Sequence, residues 1–370
     1  MKFKSYVIFF LLFGVVSDVY ICLAFPGLSP VWKMLCCLPT LAALVCLCFI
    51  GSGVHYTDAV RMFSYLTFLS ELPKFVFMLF SLINLWAGIA LGAGVALFFG
   101  ILIFYSSRHL KVNKVELAFS GLPRQFDGFR ICQLSDLHLG SFGEAEAYVK
   151  KIVDTALSLS PDVILFTGDL VNFESSEAEP YLRELARLTA PCGVYAIRGN
   201  HDYLLHGHHD EQARLQDTEM LLEMERLMDW NLLLNSNALI SRDGASIALA
   251  GVENVSSNPY FTHTGGDLGK ALEGIPEGVF TILLSHDPSH WRAEVVPSTD
   301  IPLTLSGHTH GLGYKLAGLN PSHWKLPESG GLYSKDGQVL HVSKGLGSAF
   351  AFRLGGFPMV DIITLKSNSY

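Results

Sequence analysis

Residues 1–106 are so rich in apolar side chains and so poor in charge that this part of the chain is incompatible with an ordinary water-soluble fold. Residues 5–25 and 31–50 are two runs of about 20 mostly apolar residues, each long enough to cross roughly 30 Å of hydrocarbon. A turn, Phe-Pro-Gly-Leu-Ser-Pro, separates them. No small-residue cleavage site follows the first run and a second run comes at once, which argues against a cleaved signal peptide. From about 60 to 106 the chain is apolar again, interrupted by Glu71, Pro73 and Lys74; the stretch is too long for one helix and reads as two. About four spans are expected, with three as the alternative if one of these helices lies in the interface. Lys2 and Lys4 precede the first run, and Arg108, Lys111 and Lys114 follow the last. An even span count then puts both chain ends, and everything after residue 110, on the cytoplasmic side of the cell membrane. Asp18, inside the first run, is expected to face a neighbouring helix rather than to act as an intramembrane acid.

Charge separates the chain in the same place. Residues 1–105 hold five basic and three acidic side chains, leaving 21 basic and 31 acidic ones for the remainder, a balance of −10. Such an acidic part argues against a nucleic-acid partner held on a broad basic face and suits a domain that gathers carboxylates around cations. Of seven cysteines, five lie in the apolar part and only Cys132 and Cys192 beyond it, which is no disulfide framework. The expected division is a transmembrane helical anchor over 1–110 and a second domain over 111–370.

Past residue 110 the pattern changes. Residues 128–135, 162–167 and 192–197 are short β-rich runs, with helix-like stretches at about 145–159 and 178–189 between them. This alternation predicts a largely parallel sheet whose strand C-termini gather loops on one edge. A helix over 211–229 and strands near 232–240, 246–251, 280–285, 302–305, 339–343 and 359–365 predict a second sheet packed on the first.

Five motifs end predicted strands: Asp136-Leu-His138, Gly168-Asp169, Gly199-Asn200-His201-Asp202, Ser285-His286-Asp287 and Gly307-His308-Thr309-His310. All offer oxygen or nitrogen ligands and none a thiolate, which points to Mn, Fe or Zn at an open site rather than to a structural zinc cage. If the segments are extended, the Asp-x-His and His-x-His spacings place two ligands on one side. Taken singly, Gly-Asp and Asn-His are ordinary turn chemistry and a lone histidine is usually structural; five in series are not.

With these motifs on the page, residues 115–365 resemble the calcineurin-like metallophosphoesterase superfamily, and SDLHLG, TGDLVN, GNHDY, HDPSHW and SGHTHG are most similar to its membrane-anchored, YkuE-like bacterial branch. The resemblance implies an αββα sandwich, an α/β fold of two mixed sheets flanked by helices. It implies two divalent metal ions, one held by Asp136, His138 and His310 and the other by Asn200, His286 and His308, with Asp169 bridging. Two such ions lower the pKa of a shared water and clamp a phosphoryl group. His201 would protonate the leaving oxygen, and Asp202 would help orient the site.

Two departures from the family pattern stand out. Related protein phosphatases carry an acid where this chain has Asn172, which makes an acid-assisted imidazole and phosphoprotein substrates poor expectations. Gly-Leu-Gly-Tyr follows His310 in place of the Gly-Gly-Gln of many YkuE-like members. Among other candidates, His206, His208 and His209 read as a solvated loop rather than a metal tract. Trp291 fits a pocket wall and a packed helix start equally, and Glu253 and Asn254 are candidates to support the ligands.

The function expected is metal-dependent hydrolysis of a phosphomonoester, phosphodiester or pyrophosphate. Tethering to the bilayer favours a lipid-linked substrate of the UDP-diacylglucosamine type. The alternative is a membrane sensor or scaffold that keeps the fold as a binding module; its mark would be missing ligands, and all seven are present. No protein partner is expected.

Overall fold

A computed structural model describes residues 7–368 except 9, 106–107, 144, 206, 208–209, 258–264, 312–326, 349–352 and 354–356. The His206, His208 and His209 tract and most of the segment after His310 lie outside these residues. Two units make up the chain, a helical one through residue 107 and a sandwich from Arg108 onward.

In the helical unit, Pro30–Ser52, Tyr56–Ser81 and Leu85–Tyr105 are long and apolar enough to cross a membrane, while Leu12–Ala24 is a shorter apolar helix. The third apolar stretch does divide in two, but not at its polar residues: helix runs through Glu71, Pro73 and Lys74, and the break falls before Asn84, whose side chain caps the next helix by accepting the Ala87 N–H. Gly88 and Gly92 let that helix close on its predecessor, since a Cβ at Gly88 would stand 2.8 Å from the Phe77 carbonyl oxygen.

The interrupting residues fold inward. Lys74 Nζ lies 2.7 Å from Asp18 Oδ1, 2.8 Å from Glu71 Oε2 and 2.7 Å from Thr40 Oγ1, all in buried or nearly buried positions. Asp18 thus faces other helices, as expected. Lys74→Met would strip both carboxylates of their shared cation. Breaking a buried pair costs on the order of 3 kcal/mol, so we expect a clearly lowered unfolding temperature in detergent. Arg61→Met, at the more solvent-open pair with Asp58, should shift it far less.

The sandwich is built from β1 (Lys111–Phe119), β2 (Arg130–Leu134), β3 (Val163–Phe166), β4 (Val194–Ala196), β5 (Asn231–Leu232), β6 (Ser236–Arg242), β7 (Ala245–Gly251), β8 (Thr281–Leu284), β9 (Leu303–Ser306), β10 (Gly331–Lys335), β11 (Gln338–Val342) and β12 (Met359–Ser367). One sheet has the order β1-β12-β2-β3-β4-β5 and the other β10-β11-β9-β8-β7-β6. Strands β2 to β5 are parallel, as are β7, β8, β9 and β11, while β12 runs antiparallel to β2. Central strands are apolar on both faces because both faces are covered. Ile131, Val163, Leu165, Ile282, Leu284, Leu303 and Leu305 fill the layer between the sheets. Cys132, Ile164 and Phe166 point the other way, against Val149, Ile152 and Val153 of helix Glu146–Ser158. On the far side of the second sheet, Leu283 packs with Trp291 and Val295, so Trp291 is core and no pocket wall. The expected two mixed sheets flanked by helices are therefore present.

Several elements depart from the sequence reading. The single strand expected near 232–240 is two, β5 at the edge of the first sheet and β6 at the edge of the second, because the chain turns at Asn235, whose φ is 51°. Strand β12, expected in the second sheet, lies in the first between β1 and β2. The 178–189 stretch is no continuous helix but short turns, Ser175–Glu177 and Glu179–Tyr181, then Leu182–Leu185; Pro180 cannot continue a helix's hydrogen bonding. Strands β1 and β10 had no clear apolar signal, because each is an edge strand with much of its length exposed.

Candidate metal centre

All five motifs sit just beyond the C-terminal ends of β2, β3, β4, β8 and β9, the inner parallel strands of the two sheets. Backbone hydrogen bonds lock neighbouring loops: Asp136 N–H donates to the Gly168 carbonyl at 2.9 Å and Gly307 N–H to the His286 carbonyl at 2.9 Å. Across the sheets, His308 N–H donates to Asp136 Oδ1 at 2.9 Å and His286 Nδ1 to the Thr167 carbonyl at 2.7 Å. Side chains more than 100 residues apart thereby meet.

The local backbone is not extended there. Asp136, His138, Asp169, His308 and His310 have φ of 51°, 48°, 60°, 69° and 50°, the left-handed region that costs a non-glycine residue roughly 1 kcal/mol or more. The reading of Asp-x-His and His-x-His as alternating strand positions is thus corrected: these pairs converge because the chain coils at each ligand. Coiling so tightly needs neighbours without side chains. A Cβ at Gly199 would overlap Asp169 Oδ1, and one at Gly307 would overlap Ser135 and Asp136.

The histidines and carboxylates fall into three groups, Asp136 with His138 and His310, His138 with Asp169 and His201, and Asp169 with His286 and His308, each offering ligand atoms within 4.8 Å of one another. His138 Nε2 stands 3.2 Å from His310 Nε2. Asp169 Oδ2 is 3.5 Å from His138 Nε2 and 3.1 Å from His286 Nε2. Asn200 is buried between Gly199 and His201, at the head of the turn His201–Tyr203.

This donor set fits cations. His286 gives its Nδ1–H to the Thr167 carbonyl, which turns the buried Nε2 toward Asp169 Oδ2, 3.1 Å away. Among the described residues, the buried Nδ1 atoms of His138 and His310 have no hydrogen-bond partner. Burial holds the His138 and His310 imidazoles well below their ordinary range, keeping them neutral as ligands must be. Burial alone would do the same to His286, but Asp169 and Asp136 carry it up to about 10, so these acids favour positive charge at this position. Asp169 in turn, though burial opposes it, is held well below the carboxylate range by His286 and His201. A divalent ion can supply that charge.

Other residues support the ligands. Asp202 grips backbone: Oδ2 accepts the N–H groups of Asp169 (2.8 Å) and Gly199 (2.9 Å), and Oδ1 those of Leu170 (2.7 Å) and Val171 (3.3 Å). It fastens the Asp169 loop to the Asn200 loop, so its place is positional. His201 Nδ1 donates to the Asn172 carbonyl at 2.8 Å. Glu253 bridges Tyr203 and Asn235. Asp287 lies 3.6 Å from His308 Nε2, a partner adjacent in sequence to His286 that its motif could have disclosed. Glu177, absent from the sequence reading, ties two ligand loops together.

Residues 129–312 match the model of the calcineurin-like phosphoesterase family. A Bos taurus transmembrane protein with metallophosphoesterase domain is 34% identical over 201 residues, 54% of this chain and 44% of that protein. The chain thus spans less than half of that relative's length. The metallophosphoesterase YkuE of Bacillus subtilis is 29% identical over 71% of this chain and 90% of its own. The UDP-2,3-diacylglucosamine pyrophosphatase LpxG of Chlamydia muridarum is 27% identical over 70% of this chain and 91% of its own.

Proposed function

We propose, on the premise that this chain belongs to the calcineurin-like phosphoesterase family through residues 129–312, that it hydrolyses a lipid-linked phosphoester or pyrophosphate at a two-cation centre. The observation that carries this reading is the sharing of Asp169, whose Oδ2 faces both His138 and His286 and so joins two ligand groups. Asp136, His138 and His310 would hold one ion, Asn200, His286 and His308 the other, and Asp169 both. Mn, Fe or Zn suits such nitrogen and oxygen donors. Bound there, the ions would activate water and neutralise charge on the phosphoryl oxygens.

The chain's own residues do the rest. With Nδ1 donating to the Asn172 carbonyl, His201 would give a proton to the departing oxygen from Nε2. Asp202 keeps His201 and Asp169 in register by gripping both loops through their backbone. Buried, closely packed ligand loops limit water around the reacting groups.

Support for a lipid-linked substrate comes from the apolar helices and from the activity named for the chlamydial relative. Residues 1–110 would be a multi-pass anchor and 111–370 the catalytic domain, which faces the cytoplasm by the Lys and Arg distribution if the shorter helix Leu12–Ala24 adds a fourth span to the three long ones. The test uses the full chain in detergent with its metal content measured. Lipid-linked nucleotide diphosphates should be cleaved with higher kcat/KM than soluble bis(p-nitrophenyl) phosphate. Equal rates would remove the lipid preference, and no turnover of any ester with Mn, Fe or Zn would leave the sensor alternative standing. A reporter fused after Tyr370 checks the orientation.

A further inference from the structure

We infer that Glu177 is a positioning residue for His201, acting through the peptide group between Asn172 and Phe173; the inference rests on the hydrolase reading above. Glu177 ends the turn Ser175–Glu177 and is buried. Its Oε1 accepts the Phe173 N–H at 3.0 Å, and Oε2 accepts the Asn172 N–H at 2.5 Å and the Gly140 N–H at 3.1 Å. The carboxylate therefore clamps the loop after Asp169 to the loop after His138. Gly140 must be glycine for this approach, since a Cβ there would stand 2.5 Å from Glu177 Oε2.

One of these bonds matters beyond bracing. The Phe173 N–H and the Asn172 carbonyl belong to the same planar peptide group. On one side the group donates to the Glu177 carboxylate; on the other its oxygen accepts the His201 Nδ1–H at 2.8 Å. Hydrogen bonds in series polarise one another, and a charge-assisted bond at the N–H increases negative charge on the carbonyl oxygen. His201 thus meets an acceptor strengthened by a carboxylate it does not touch. Asn172 stands where related phosphatases carry an acid, and Glu177 delivers an equivalent charge through the backbone. The ring is thereby held in one orientation, with Nδ1 on the Asn172 carbonyl and Nε2 on the opposite edge of the ring, the position from which the proposed acid would reach the leaving oxygen.

Protonating the leaving oxygen matters greatly for an alkoxide and little for p-nitrophenolate, and this difference separates positioning from general bracing. The experiment compares kcat on an alkyl and a p-nitrophenyl ester of the same phosphodiester for the full chain, His201→Ala and Glu177→Gln, at matched metal content and verified folding. General acid catalysis contributes about 10²-fold or more, so His201→Ala should lose that on the alkyl ester and far less on the aryl ester. Glu177→Gln should show the same selectivity at about tenfold, in kcat rather than KM, and should add little when combined with His201→Ala. If Glu177→Gln does not accumulate folded, Glu177→Asp, which withdraws the charge by one methylene, is read against the same criteria. Equal losses on both esters for the Glu177 variants, with His201→Ala still selective, overturn the inference and leave the hydrolase reading intact. An unselective His201→Ala overturns the inference as well, and a full chain that cleaves neither ester overturns both.

Discussion

Replacing Asp169 with Asn should reduce hydrolysis of bis(p-nitrophenyl) phosphate with Mn²⁺ by about 10³-fold or more, a transition-state loss of roughly 4 kcal/mol. The substitution keeps size and shape, and the remaining oxygen can still accept the His201 N–H that Asp169 Oδ1 receives at 2.9 Å. What changes is the other atom. Oδ2 faces His286 Nε2 at 3.1 Å and His138 Nε2 at 3.5 Å, and an amide NH₂ in its place turns donors toward the space where cations must sit. The charge that offsets His286 is lost at the same stroke. Metal content should fall along with the rate, while far-ultraviolet circular dichroism stays that of the parent. Parent-level turnover by Asp169→Asn would end the shared-ligand assignment.

Chelation is the second large effect expected. Stripping divalent ions from the detergent-solubilised chain should bring turnover below detection, with recovery on adding back one of Mn, Fe or Zn. Stability should move in the same direction, because an ion at about 1,000 times its Kd adds about 4 kcal/mol to a folded state that alone binds it. The loss should be concentrated at the ligand loops. Five ligand-bearing residues there hold left-handed backbone, a strain that persists only while surrounding bonds over-determine it. Faster amide exchange in residues 135–139 and 307–311 after chelation, with β3 and β8 unchanged, is the expected pattern. Full activity in protein shown to be metal-free would refute the two-cation centre.

The parts of the site that were legible in the sequence are those that depend on side-chain chemistry. Asp136, His138, Asp169, His286, His308 and His310 could be named because so few residue types offer hard or borderline ligands, and because each follows a run of β-forming residues. Their route to one another was misjudged. Period-two spacing suggested extended pairs, whereas the backbone coils at Asp136, His138, Asp169, His308 and His310, and no local pattern announces a non-glycine residue at φ near +50°. Glu177 was invisible for a related reason: at Gly140, Asn172 and Phe173 it grips backbone N–H groups, which every sequence supplies alike.

A comparable boundary runs through the fold. Inner strands such as β3 and β8 are apolar on both faces and declare themselves; β1, with Lys111, Lys114 and Glu116 exposed or half exposed, is recruited only because β12 offers a matching edge over nine residue pairs. Glu71, Pro73 and Lys74 looked like a helix break, yet Lys74 finds Asp18 and Thr40 on other helices and the helix continues.

Residue identity alone indicated which groups are candidates to bind cations, which segments are too apolar for water and where the inner strands run, since each depends on chemistry carried by the residue or on period over a few neighbours. Which histidine faces which carboxylate, how the backbone bends to bring them together and which distant acid steadies His201 were decided only by tertiary packing. Hydrogen bonds among backbone groups hold those loops, and their partners are chosen by proximity in space, not by order along the chain.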